Sequence, residues 1–282
     1  MTYSFINPLR VSKISGLLYK KWRAEQLTLI FIMLLLLILL MALKDAVHGQ
    51  TKILVMLSLF WLFCVANFYT SSSEISLAER SEFLSAVAVR ARSILWFIFL
   101  IVVASVYYSR FYFDTLDSAI MANGALLSKV QSGELWRLVV GSFIHSGIEH
   151  LILNSVLLVF LLPIASFFGR KNAIFLFIIG MLVSQISYVT LGYYKLHDGY
   201  VLVGISGGEY ALLGFIVLDS CMHPDRYPKR FFILTSVFSL VVGLGSFLLN
   251  PNASSIAHGA GFLFGLVYSF CRGFCTRHNC DI

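Results

Sequence analysis

The chain has 282 residues, of which 59% are apolar and only 12% charged, and its mean hydropathy is +0.85. Soluble domains carry about 25% charged residues, so this composition excludes an ordinary soluble enzyme fold. The net charge of +7 does not mark a nucleic-acid binder, because Lys and Arg fall in short clusters between apolar runs, the topology pattern of membrane proteins.

In chain order, a basic stretch over 1–25 comes first. No cleavable leader is expected, since no small-residue cleavage site accompanies the first apolar run. Runs at 27–43 and 53–69 are long enough to cross a bilayer. Neither holds Asp, Glu, Lys, Arg or His, which predicts an anchor or accessory hairpin rather than a site. Residues 70–93 follow as a mixed-charge linker with Ser71, Ser72, Ser73, Glu74, Glu79, Arg80 and Glu82. Six further runs lie at 94–109, 150–168, 173–191, 202–218, 231–249 and 256–271. The expected fold is therefore all-α, a polytopic membrane helical bundle. Its expected parts are an N-terminal extension (1–93), a six-span core (94–272) and a tail (273–282).

Eight spans put both ends of the chain on one side. With the N-terminus inside, 15 of the 21 Lys and Arg fall on inner segments. Cytoplasmic loops retain positive charge, so both termini are expected in the cytoplasm, with the protein integral to a membrane such as the bacterial inner membrane. Cys64, Cys221, Cys271, Cys275 and Cys280 then face a reducing compartment, and no disulfide is expected. The spacing of the last three fits no standard zinc pattern; no metal and no cofactor is expected. The lipid bilayer is one partner; oligomeric state is not legible.

The 110–149 segment is too apolar for a solvated loop, with Phe111, Tyr112, Phe113, Leu135, Trp136 and Leu138 among its residues. It reads as an interfacial segment, either a cover or a functional lid.

Polar groups at membrane depth are expensive and need a partner or a role. His150 and Asn154 are four residues apart and share one helix face. His145, five residues before His150, cannot share that face if the stretch is helical. Either the pair glues helices together by hydrogen bonds or it belongs to a site. Ser206 lies in Gly204-Ile205-Ser206-Gly207-Gly208, a G-x-S-x-G pattern, one turn into the predicted 202–218 span. A soluble nucleophile elbow needs a strand before the serine and a parallel sheet around it. Asp219 and Asp225 lie roughly 20 Å along the chain from Ser206 at the helical rise of about 1.5 Å per residue, too far for a triad. His258 precedes Gly261 and Gly265, and Ser206 precedes Gly207, Ala211 and Gly214. Two such small faces allow close helix approach, which would bring a serine and a histidine within hydrogen-bonding reach.

These residues together resemble the rhomboid family of intramembrane serine proteases. The likeness covers about 94–272 and rests on GELWRL in the 110–149 segment, His145, His150 and Asn154, the Gly204, Ser206 and Gly207 pattern, and AHGAGFLFG with His258, Gly261 and Gly265. It implies a six-helix core and a dyad in which Ser206 is the nucleophile and His258 the general base. It further implies an oxyanion hole from His150, Asn154 and the Ser206 N–H. Tyr210 would support the His258 ring, Trp136 and Arg137 would be a structural pair, and His145 would be structural. The implied substrate is a transmembrane protein cut in or near a helix that unwinds locally. The alternative is an inactive rhomboid-like protein that binds membrane helices and controls their trafficking. Three departures stand out: Ala165 where the family often has glutamate, Glu209 three residues after Ser206, and the two extra N-terminal spans.

Overall fold

The two apolar runs nearest the N-terminus form α1 (Gly16–Ala42) and α2 (Gln50–Thr70). The structure, a computed structural model, describes residues 16–42, 50–108, 115–192, 201–249 and 255–277. The expectation for Cys280 therefore lies outside the described residues, as does the beginning of the 110–149 segment, residues 110–114.

Within residues 70–93, all from Glu74 onward are helical, and only 71–73 form a turn. Ser73 and Ser76 form a reciprocal cap, each side-chain oxygen accepting from the other's backbone N–H at 3.1 and 3.0 Å. From that cap runs α3 (Glu74–Val106), a single 33-residue helix. Ala, Leu, Glu and Arg dominate its first half and favour helix whatever their charge; reading for hydropathy alone missed this. The segment after it folds into short pieces: α4 (Leu116–Asn123), β1 (Ala125–Leu126), α5 (Leu127–Gln131) and α6 (Arg137–Val140). Leu135, Trp136 and Val139 stay exposed there.

Next come α7 (Ile148–Ala165) and α8 (Arg170–Gly192). A two-residue strand, β2 (Val201–Leu202), pairs antiparallel with β1, Ala125 opposite Leu202. The chain ends in α9 (Ser206–Met222), α10 (Phe231–Leu249) and α11 (Ser255–Arg277). Each of the eight predicted spans thus falls on a helix. The largest difference is at 202–218, where the strand takes the first residues and Ser206 opens the helix instead of lying one turn inside it. Among the described residues, five helical segments, Gly16–Leu39, Ile53–Thr70, Glu74–Val106, Ile148–Phe168 and Arg170–Leu191, are long and apolar enough to cross a membrane. The molecule is an all-α helical membrane protein.

The chain forms two compact units, both discontinuous. One comprises Met1–Ala86 and Asp219–Ala253, the other Val87–Leu218 and Ser254–Ile282. In the first, α1 and α2 pair through Trp61, whose indole N–H donates to the Ile30 carbonyl at 3.2 Å. Buried Arg80 donates to Asn67 Oδ1 at 2.6 Å and to the Thr70 hydroxyl. Asp219 accepts from the Tyr227 hydroxyl at 2.6 Å and lies 3.0 Å from His223, so its carboxylate is engaged locally.

In the second unit α9 is the centre. Residues 207–216 are all buried, as expected of a helix surrounded by others. Its glycines set the spacing. A Cβ on Gly207 would run into Ser184, and one on Gly208 would lie 2.6 Å from the Phe177 carbonyl oxygen, so α8 runs antiparallel to α9 at backbone range. A Cβ on Gly261 would strike the Gly207 carbonyl, and one on Gly265 would strike that of Ala211, so α11 runs parallel to α9 and equally close. Hence Gly265→Ala is expected to lower the thermal unfolding midpoint in detergent, at roughly 2 kcal/mol of stability. Gly243→Ala in α10, where a Cβ meets nothing within 4 Å, should leave it unchanged or raise it. Equal midpoints for the two variants would contradict the close approach.

Candidate active site

The close packing of α9 and α11 places two side chains together at the N-terminal ends of both helices. Ser206 is the first residue of α9 and His258 lies in the first turn of α11. Ser206 Oγ is 2.9 Å from His258 Nε2, a hydrogen bond across 52 residues of sequence. Tyr210, one turn along α9, stacks on the His258 ring with centroids 4.3 Å apart and planes 14° from parallel. The imidazole is thus held on one face by a ring and at one edge by the serine. With the hydroxyl donating to Nε2, the ring proton sits on Nδ1. That is the tautomer in which Nε2 can accept the serine proton.

The second group lies across the chain just before α9. Gly204 adopts φ +103, a conformation that favours glycine. A Cβ there would come 2.9 Å from His150 Cε1 and 3.5 Å from Asn154 Nδ2, so the backbone leading into Ser206 runs directly against both side chains. Its N–H donates to the Gly141 carbonyl at 3.2 Å, fixing that approach. His150 Nδ1 lies 3.1 Å from the Ser146 hydroxyl. A hydroxyl donating there leaves Nε2 carrying the ring proton, available as a donor toward the same space.

His145 departs from the helical argument. It sits before α7, not within it, so the 140° offset does not apply. The loop folds it back until its ring centroid is 5.0 Å from that of His150 and its Nε2 is 3.2 Å from Asn154 Nδ2. All three residues therefore meet. Burial, and secondarily the nearby His150, push the His145 imidazolium down to about 3.

Arg137 is buried and works at a distance from this cluster. Its Nε donates to Glu134 Oε2 at 2.6 Å, and a guanidinium N–H donates to the carbonyls of Met121 and Gly124 at 3.2 and 3.0 Å. The same guanidinium lies 4.8 Å from the Trp136 ring centroid. It ties the end of α4 to α6. The hydrogen bond from Arg137, aided by its charge and that of Lys129, lowers the Glu134 carboxyl below its usual range. Gly207, Gly261 and Gly265 are contact points between helices, as described above.

Three features escaped the sequence. The Ser146 hydrogen bond to His150 is an i, i+4 pair but crosses a loop-to-helix junction, where that spacing carries no signal. Gln185 donates to the Ser142 hydroxyl at 3.1 Å in the buried interior, joining α8 to the turn before α7. Finally, Glu209 is fully buried, and neither carboxyl oxygen has a hydrogen-bond partner among the described residues.

Fold and site together define an integral membrane protein with a serine and a histidine from parallel helices in hydrogen-bonding contact. The Rhomboid domain family model matches residues 132–273, and the chain belongs to that family. Relatives are distant. Over 168 residues it is 30% identical to rhomboid-like protease 5 of Toxoplasma gondii, covering 56% of this chain and 19% of that protein. It is 26% identical to RHOMBOID-like protein 1 of Arabidopsis thaliana over 50% of this chain and 35% of the relative. With rhomboid protease GlpG of Serratia proteamaculans it shares 28% identity over 52% of this chain and 50% of the relative. The chain thus spans between a fifth and a half of the length of these three relatives.

Because His145 is held neutral when folded and titrates near its ordinary value when unfolded, acid favours the unfolded state. Its contribution is intact above about pH 6.5 and is lost as pH falls toward 3. Thermal midpoints should fall over that window, and less steeply in His145→Gln. An identical acid slope in both proteins would contradict the buried neutral ring.

Proposed function

We propose that this protein is an intramembrane serine endopeptidase that hydrolyses peptide bonds in or near transmembrane helices of other membrane proteins. The observation that carries this reading is the 2.9 Å contact between Ser206 Oγ and His258 Nε2. Family membership supports the same class of function.

Ser206 Oγ attacks the scissile carbonyl carbon while His258 Nε2 takes its proton. The imidazolium that forms is supported by the stacked Tyr210 ring, an attraction between a cation and an aromatic face. Negative charge gathers on the former carbonyl oxygen, and His150, Asn154 and the Ser206 backbone N–H are the donors proposed to receive it. The N-terminal end of α9 adds the partial positive charge of a helix start. Collapse breaks the C–N bond, and His258 returns its proton to the leaving amine. Water then attacks the acyl-Ser206 ester with His258 again as base, releasing the carboxylate and restoring the serine.

Each supporting residue acts by holding this geometry. Gly204, Gly207, Gly261 and Gly265 permit the backbone approach; Arg137, with Trp136 beside it, ties together the short elements between α3 and α7. The site residues all fall in the proposed 94–272 protease core. A substrate helix must unwind to present its carbonyl, and Gly or Pro near the cut weakens the backbone bonds that resist this. We read the site as opening toward the outer face, with both termini cytoplasmic, on the distribution of Lys and Arg. A reporter fused after Arg272 is expected on the inner side; its exposure outside would reverse this orientation.

Purified full-length protein should cleave a model transmembrane substrate in proteoliposomes. Ser206→Ala and His258→Ala should each lower kcat/KM by a factor on the order of 10³ or more. Cleavage by either variant at the wild-type rate would remove the enzymatic reading. A Ser206→Ala protein that still performed the cellular role would favour helix binding without proteolysis.

A further inference from the structure

Glu209 is a buried titratable group near the proposed nucleophile that the mechanism leaves unused. It lies three residues after Ser206 on α9, and side chains at i and i+3 are neighbours, with Cβ atoms about 5–6 Å apart. The glycine contacts divide the circumference of α9. Gly207, Gly208 and Ala211 meet α8, and Gly207, Ala211 and Gly214 meet α11. Glu209 is about 100° round the helix from Gly208 and about 60° from Ser206. It therefore lies off the glycine contacts with α8 and α11, on a face it shares with buried Leu213 and Ile216 and one turn from Ser206. It is 1% exposed, and both of its oxygens lack partners among the described residues.

A buried carboxyl of this kind is costly, because nothing replaces the water it has lost. A packing role would be served better by any apolar residue of similar volume. A partner that arrives from outside the chain removes that cost. The partner that gains most is a cation, since charge-assisted hydrogen bonds are roughly twice as strong as neutral ones. A substrate segment brings such a cation naturally. Lys and Arg lie at the ends of membrane spans, where they lay an apolar stem along the helix and carry the charge at its tip.

We propose that Glu209 is a specificity-determining residue whose carboxylate binds a lysine or arginine side chain of the substrate close to the scissile bond. The short separation from Ser206 places that residue within about two positions of the cleaved peptide. The substrate itself opens the helices over the carboxyl as it unwinds, so the acid is covered until the matching segment enters. Neutral segments of equal hydrophobicity leave it buried and unpaired, as it is in the free protein, and lack the gain that a cationic segment obtains. This inference rests on the reading of Ser206 as the site where the substrate lies, but it concerns binding and does not require turnover.

The test uses the full chain carrying Ser206→Ala, in lipid nanodiscs. Its affinity is measured for two fluorescent transmembrane peptides that differ only in a lysine, or its isostere norleucine, next to the expected cut. The lysine peptide should bind about tenfold more tightly. Adding Glu209→Gln should bring the ratio to within about twofold of one, while Glu209→Asp, which keeps the charge, should retain most of the preference. A purely structural Glu209 would weaken both peptides together and leave the ratio unchanged. Equal affinities in the Ser206→Ala protein, or a tenfold ratio that survives Glu209→Gln, would overturn the proposal. Cleavage of the same peptides by the wild-type chain reports separately on proteolysis: a preserved binding ratio without cleavage would refute the enzyme and leave the Glu209 site standing.

Discussion

The contact of α9 with α11 at backbone range is the constraint on which the rest depends. Two helices carrying ordinary side chains pack with axes about 8–10 Å apart. Here the backbone carbonyls of Gly207 and Ala211 occupy the space that a Cβ on Gly261 or Gly265 would need. That approach lets a short serine side chain reach an imidazole on the neighbouring helix at 2.9 Å. It also puts Tyr210 over the same ring. The parallel direction of the two helices matters equally, because it brings both N-terminal ends, and so both polar residues, to one end of the bundle.

The same economy governs the other side of the site. Gly204, with its positive φ, lets the chain pass against His150 and Asn154 and turn into α9 at Ser206. The β1–β2 pairing and the Gly204–Gly141 hydrogen bond hold that entry in register. Arg137 then ties the preceding short elements together through the Met121 and Gly124 carbonyls. Backbone groups in a low-dielectric setting need partners, and these irregular segments obtain them from one another and from a buried guanidinium. The irregular structure before α7 and α9 is therefore part of how the polar residues are aimed.

Much of this was legible in the residues. Apolar run length located the helices, and small residues after Ser206 and His258 indicated where two of them could meet. Other parts required three dimensions. The helicity of residues 74–93 was hidden because charge lowers hydropathy without lowering helix propensity. His145 was excluded from the face of His150 and Asn154 by a helical argument that fails once α7 begins at Ile148. The Gln185–Ser142 and Ser146–His150 bonds join residues whose relation depends on how loops close, and periodicity does not record that. Glu209 was visible as an oddity, but only burial shows that its carboxyl is enclosed and unmatched.

A serine becomes nucleophilic only if the base beside it can accept its proton, so reactivity of that hydroxyl is the most direct measure of the account. Treatment of the protein in bilayers with a fluorophosphonate probe, followed by peptide mapping, reads it without any substrate. Phosphonylation confined to Ser206 and lost in His258→Ala is the predicted result. Labelling of Ser206 that proceeds at the same rate without the imidazole, or no labelling of Ser206 at all, would contradict it.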